Sequence, residues 1–297
     1  MCRVCILAYD ALDPYLVKRF RLRYIRQEFH GIVDVSMFPL VATPIIWASF
    51  ITGRYPHEHG VVMSREWKIP LLPRLFRKIM LSRSGSKTVA AVVGRGPIYK
   101  LYVNIPRFIA RPFEADYYRR RGVKTIFDYA RRPAAVDVPA FNQSERALEL
   151  KGGTLKVVER RMPYRAYASA LWEYHRRKKR LLLKVLDGGG YDLVMFHFEI
   201  ADLIGHLRRG NIIEMWKVYN DLNALARKVR EKVGDESLVL IVSDHGMKPI
   251  RPGGLYGIHS PYGFWSSNLD IGLPGKTYIT SFFEKIVGFL RLSLIHI

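Results

Sequence analysis

Unbroken apolar runs alternate with amphipathic stretches along this chain. Residues 2–9 are almost wholly apolar and lead directly to Asp10. Tyr191–Phe198 is apolar apart from Asp192 and His197, and Ser237–Val242 is a short apolar run that again meets an acidic residue. Such runs predict strands buried on both faces. Stretches of helical period lie between them: Tyr15–Phe29, residues 44–52 closing at Gly53, Tyr164–Leu186 closing at Gly188-Gly189-Gly190, and Ile212–Val233. Asp13-Pro14 reads as an N-cap followed by proline at the first helical position. Lys87–Val93 and Ala134–Val138 predict further strands, and Thr125–Arg131 a short helix. The alternation predicts an α/β fold with a mostly parallel central sheet flanked by helices on both faces. There is no internal repeat and no low-complexity linker, so residues 1–297 read as one catalytic domain. Residues 64–123, rich in Arg, Pro and Tyr, stand out as a candidate insertion lying over the site.

Composition changes this picture in one respect, the charge. With 48 Lys and Arg against 26 Asp and Glu, the formal net charge is +22, which favours anionic partners: phosphate substrates, nucleic acid or an anionic surface. Much of the excess is accounted for by a solvated basic surface, including the run Arg176-Arg177-Lys178-Lys179-Arg180. The only cysteines, Cys2 and Cys5, have C-x-x-C spacing but sit in a strand-like run, where residues three apart face opposite ways. A disulfide-stapled secreted domain is therefore not expected. No run is long enough to span a bilayer, and the N-terminus lacks the layout of a signal peptide. The expectation is a cytoplasmic protein whose apolar tail, residues 286–292, packs as a terminal helix.

Chemistry gathers where the apolar runs end. The first ends at Asp10. The second is followed by Asp202-Leu203-Ile204-Gly205-His206, and the third by Ser243-Asp244-His245-Gly246. In parallel sheets, sites assemble at the carboxyl ends of strands, so these segments should converge. Asp202 and His206 are four apart, which places both on one face of a helical turn. Asp244 and His245 follow a buried strand, with Gly246 permitting a tight turn. Oxygen and imidazole donors without thiolate suit Zn²⁺, Mn²⁺ or Fe, and paired metals clamp phosphoryl displacement. Thr43 precedes Pro44 where a helix begins, so its hydroxyl would face unpaired N–H groups that favour a phosphate. Taken alone, Thr43 reads equally as an N-cap, and His259 as an ordinary histidine.

With these residues in view, the sequence resembles the alkaline phosphatase superfamily, in its type I phosphodiesterase and nucleotide pyrophosphatase branch. The resemblance rests on residues 43–61, which open Thr43-Pro44 and close His59-Gly60-Val61, then on Asp202–His206, Ser243–Met247 and His259, in that order. It implies two divalent metals, most commonly zinc. One would be held by Asp202, His206 and His259, the other by Asp10, Asp244 and His245, with Thr43 bridging toward the second. It also implies that Thr43 attacks phosphorus and that water hydrolyses the resulting phosphothreonine. The sequence departs from the pattern at Ser64, where nucleotide-cleaving members commonly carry an Asn that donates to phosphate. A Ser hydroxyl reaches less far, and Arg65 is a candidate to substitute with charge. This leaves the substrate open beyond a small-molecule phosphoester.

The remaining conspicuous residues carry less. His57 and His59 read as structural, His197 as a hydrogen-bonded core histidine, and Lys248 as exposed. Two alternatives stay in view. One is a phosphomonoesterase or phosphomutase of the same superfamily. The other is a basic nucleic-acid- or membrane-binding protein with a vestigial site.

Overall fold

The computed structural model describes residues 2–68 and 110–292; the strand expected over 87–93 lies outside them. Its first half runs β1 (Val4–Tyr9), α1 (Pro14–Arg19), β2 (Phe29–Asp34), α2 (Thr43–Thr52), α3 (Pro56–His59), β3 (Glu66–Trp67), β4 (Ala110–Arg111), α4 (Asp116–Arg119) and β5 (Pro133–Val136). The second half runs α5 (Glu145–Val158), α6 (Tyr164–Gly188), β6 (Leu193–Phe198), α7 (Ile200–Arg208), α8 (Ile212–Val233) and β7 (Leu238–Val242). It closes with β8 (Gly246–Pro249), β9 (Gly257–Ser260), β10 (Tyr262–Ser267), β11 (Lys276–Tyr278) and α9 (Phe282–Leu292).

Seven strands form the main sheet in the order β11-β2-β10-β7-β1-β6-β5. Only β10 runs antiparallel to its neighbours; the other pairings are parallel. Alternate residues of β1 feed two cores. Val4, Ile6 and Ala8 pack beneath α2 and α9, whereas Cys5, Leu7 and Tyr9 pack beneath α6, α7 and α8. Helices thus cover both faces, and the central strands are apolar throughout because both faces are buried. The terminal helix packs as expected, with Phe282, Ile286, Val287 and Leu290 buried. Among the described residues, no helix is long and apolar enough to cross a membrane.

Where the helical expectation fails, tertiary hydrogen bonds explain it. The helix expected over Tyr15–Phe29 stops at Arg19, and Arg21 adopts φ 52°. Beyond it, the Asn223 side chain accepts from the Tyr24 and Ile25 amides, and the Gln27 amide donates to the Val239 and Ser266 carbonyls. Those bonds replace helical ones while Leu22 and Ile25 still reach the core. Phe29 then enters β2 rather than ending a helix. The Cys2–Cys5 reading also changes in detail. The strand begins at Val4, so alternation does not govern Cys2, and both free thiols contact the same core. The two ends of the 64–123 segment meet where β3 pairs antiparallel with β4, Glu66 opposite Arg111.

Candidate metal centre

Strands β7, β1 and β6 lie side by side at the middle of the sheet, and the segments leaving their carboxyl ends hold one cluster. Asp10 follows β1, its amide bonded to the Phe198 carbonyl at the end of β6. Asp202 and His206 occupy successive turns of α7, just after β6. Asp244 and His245 follow β7. The β8–β9 hairpin then brings His259 back opposite Met247. Ser243 ties two of these segments together: its hydroxyl accepts from the Leu12 amide and donates to the His245 carbonyl. Glycine allows close packing at two positions. A side chain at Gly263 would meet the Ser243 carbonyl at 2.6 Å, and one at Gly246 would meet the Tyr262 carbonyl at 2.3 Å.

In this cluster the Nε2 atoms of His206 and His259 each lie 3.2 Å from Asp202 Oδ1. His245 Nε2 lies 3.3 Å from Asp10 Oδ1 and 3.4 Å from Asp244 Oδ2. The opposite nitrogen of each ring faces a backbone carbonyl: Gly257 for His206, Val41 for His259 and Gly246 for His245. Such Nδ1–H···O=C contacts fix the tautomer and turn the Nε2 lone pair inward, as metal-binding histidines require. Two groups of donors lie within 4.8 Å of one another, Asp202-His206-His259 and Asp10-Asp202-His245. Asp202 therefore belongs to both groups, whereas Asp244 borders the second through His245.

Thr43 opens α2, fully buried, with no side-chain cap at Ala42. Residues on either side of it contact histidines at this sheet edge. Val41 contacts His259, and one turn later Trp47 meets His197 edge-on at 5.5 Å. Among the described residues, the Thr43 hydroxyl has no hydrogen-bond partner. The same holds for Asp10 Oδ1, both oxygens of Asp202 and Asp244, and His245 Nε2. Among the described residues, none of these carboxylates pairs with a Lys or Arg. Buried carboxylates without cations are costly. The donor set thus fits divalent metals, whose charge and open coordination would satisfy it.

The electrostatics carry the same signature. Burial and Asp202 push the Asp10 carboxyl up, yet His197 and His245 outweigh them and hold it well below the ordinary range. Burial and the neighbouring Asp10 push the Asp244 carboxyl well up. Burial would lower His245, but Asp244 and Asp10 raise it to about 10. Burial and His245 bring His259 down to about 4. Groups this close cannot all keep their ordinary charge without a further cation.

Other expected positions fall elsewhere. Ser64 is buried, and Arg65 grips Glu145 bidentately at 2.9 and 2.7 Å. Among the described residues, neither has a hydrogen bond or ion pair to the cluster. His59 is structural, with Nε2 on the Ser49 hydroxyl and Nδ1 accepting from the Val61 amide, while His57 and Lys248 are exposed. Two readings need correction. His197 is buried, but among the described residues neither ring nitrogen has a hydrogen-bond partner, and Nε2 sits 3.4 Å from Asp10 Oδ2. The basic run on α6 is not wholly solvated either. Arg176, Arg177 and Arg180 are exposed, but Lys178 is buried against Glu199 and Asp137, and Lys179 pairs with Asp221. Glu199, three residues before Asp202, was the available signal for a buried cation.

The mostly parallel α/β sheet, with this carboxylate–imidazole cluster at its carboxyl edge, is an alkaline-phosphatase-like fold. The chain belongs to the type I phosphodiesterase / nucleotide pyrophosphatase family, whose model matches residues 4–260. Among solved structures, it is similar to alkaline phosphatase from the Antarctic bacterium TAB5, with TM-score 0.50 and 12% identity over 97% of this chain and 98% of that one. Murine ectonucleotide pyrophosphatase/phosphodiesterase 5 is also similar, with TM-score 0.44 and 11% identity over 84% of this chain. The chain spans 58% of that protein's length. No curated protein matches the chain.

Proposed function

We propose that this chain is a phosphoester hydrolase, a phosphodiesterase or nucleotide pyrophosphatase that works at a two-metal site through a phosphothreonine intermediate. The observation that carries the reading is the convergence of three inward-turned imidazoles and three buried carboxylates, with Val41, two residues before the buried and unpartnered Thr43 hydroxyl, in contact with His259. Asp202, His206 and His259 would hold one ion, and Asp10, His245 and Asp244 the other, with Thr43 beside the second. Zinc suits these donors, and manganese or iron are compatible. When bound, the metals supply Lewis acidity and lower the pKa of coordinated oxygen. Thr43 Oγ1 forms the bond to phosphorus as the ester oxygen leaves. Water then cleaves the phosphothreonine and restores the hydroxyl, so diester and water give monoester and alcohol. In the first turn of α2 the Thr43 amide is the N–H left for a phosphoryl oxygen, since Pro44 has none and the Ile45 and Ile46 amides bond to the Ala42 carbonyl. The substrate is a small phosphoester, whose approach the basic charge favours.

The test is hydrolysis of bis(p-nitrophenyl) phosphate beside p-nitrophenyl phosphate, with Zn²⁺ or Mn²⁺ supplied. Faster turnover of the diester, abolished by EDTA and restored by metal, is expected. No turnover of either ester with any of several divalent metals would overturn the reading.

A further inference from the structure

His197 is the one histidine at this edge that the proposed ligand set leaves out. It lies on β6 opposite Ala8, one residue before the strand end that binds the Asp10 amide. It is fully buried, and neither ring nitrogen has a hydrogen-bond partner. Leaving an imidazole in that state is unfavourable unless it interacts with a neighbour. Its polar neighbours are Asp10 Oδ2, 3.4 Å from Nε2, and Glu199 Oε2, 3.7 Å from Nδ1. Asp10 is divided between two histidines: Oδ1 faces His245 Nε2 at 3.3 Å, and Oδ2 faces His197.

The ring is held in place from two sides. Trp47 packs edge-on against it, and Glu199 Oε2, held by Lys178, lies 3.7 Å from Nδ1. The imidazole therefore cannot swing away from Asp10 without disturbing a buried ion network. We infer that His197 is a positioning residue for Asp10. Its Nε2 faces Oδ2 at 3.4 Å, so that Oδ1 stays turned toward the donors of the second metal. Outer hydrogen bonds to ligating carboxylates set ligand orientation and typically change metal affinity about 10- to 100-fold when removed. The inference rests on the two-metal reading above.

The experiment is Co²⁺ titration of the whole chain, followed by calorimetry and by the visible absorption of bound Co²⁺. His197→Phe keeps the packing against Trp47 and removes the donor; His197→Gln places an amide N–H near the position of Nε2. The wild type should bind two Co²⁺ ions. The Phe variant should bind one of them about 10- to 100-fold more weakly and the other unchanged, and the Gln variant should recover most of the loss. Two-site binding with the Phe variant identical to wild type, or with Gln no better than Phe, overturns the inference and leaves the two-metal reading intact. A wild type that binds fewer than two ions overturns that reading itself. Should the Phe variant fail to fold by circular dichroism, His197→Gln is compared with His197→Asn, whose shorter amide reaches toward Glu199 instead of Asp10. Equal Co²⁺ affinities in those two variants would then count against it.

Discussion

His206 Nε2 and His259 Nε2 stand 3.0 Å apart, and the opposite nitrogen of each ring faces a backbone carbonyl. With Nδ1–H donating to those carbonyls, both Nε2 atoms present lone pairs to the same point, where Asp202 Oδ1 also lies. Two such lone pairs repel each other unless a cation lies between them. His206→Ala or His259→Ala should therefore remove one of two bound metals in metal analysis of the purified protein. Phosphodiester turnover should fall by on the order of 10²-fold or more. Full metal content in both variants would show that these lone pairs serve something else.

Thr43 separates nucleophile from scaffold. Its hydroxyl is buried without a partner, so removing it breaks no hydrogen bond in the folded chain. Thr43→Ala should keep both the metal content and the melting temperature close to wild type, while turnover falls by on the order of 10³-fold or more. Thr43→Ser should retain part of the rate. A Thr43→Ala enzyme working at near-wild-type rate would point to direct attack by water.

These two cases show what the sequence could carry. Asp202, His206, Asp244 and His245 were legible from their spacing just beyond apolar strands whose ends meet at one sheet edge, whereas Asp10 alone reads as an ordinary strand-end cap. Thr43 and His259 lacked a local signal. Their places depend on α2 docking against the β8–β9 hairpin through Val41, a contact between residues 218 positions apart. The stretch after Arg19 misled for a similar reason. Its apolar spacing fits a helix, but the hydrogen bonds it donates to Asn223, Val239 and Ser266 are invisible in local sequence. The helix over residues 145–158 carries Gly152-Gly153 in its interior, where glycine disfavours a helix. A side chain at Gly153 would meet the Tyr167 ring at 2.4 Å, so glycine serves helix packing there.

Lys178 on α6 bridges Glu199 and Asp137, and all three are buried. Burial pushes the Asp137 carboxyl up, but Lys178 and the Tyr174 hydroxyl hold it down at about 2. Removing the cation leaves two buried carboxylates facing each other. Lys178→Met should lower unfolding free energy by about 3–5 kcal/mol in urea denaturation, because breaking a buried pair strands its partners. Adding Glu199→Gln to it should restore part of the loss. A single-variant cost below about 1 kcal/mol would mean that water reaches these carboxylates.

His59 gives the chain a pH dependence that can be isolated from the metal cluster. Burial lowers its folded pKa to about 3, against about 6.5 for an unfolded histidine. The neutral ring is needed: Nε2–H donates to the Ser49 hydroxyl, and Nδ1 accepts from the Val61 amide. Between those two pKa values the unfolded chain binds a proton that the folded chain refuses, so stability rises with pH across that window. The contribution is complete above about pH 6.5, is lost as pH falls toward about 3, and changes no further below it. The slope for one such group is about 1.4 kcal/mol per pH unit. His59→Gln abolishes the titration, whatever it costs in stability. The difference in unfolding free energy between wild type and His59→Gln, measured in urea without metal, should therefore shrink by roughly that amount for each unit from pH 6 to pH 4. Parallel curves over this range would show that water reaches the ring and that its neutral form is not enforced by burial.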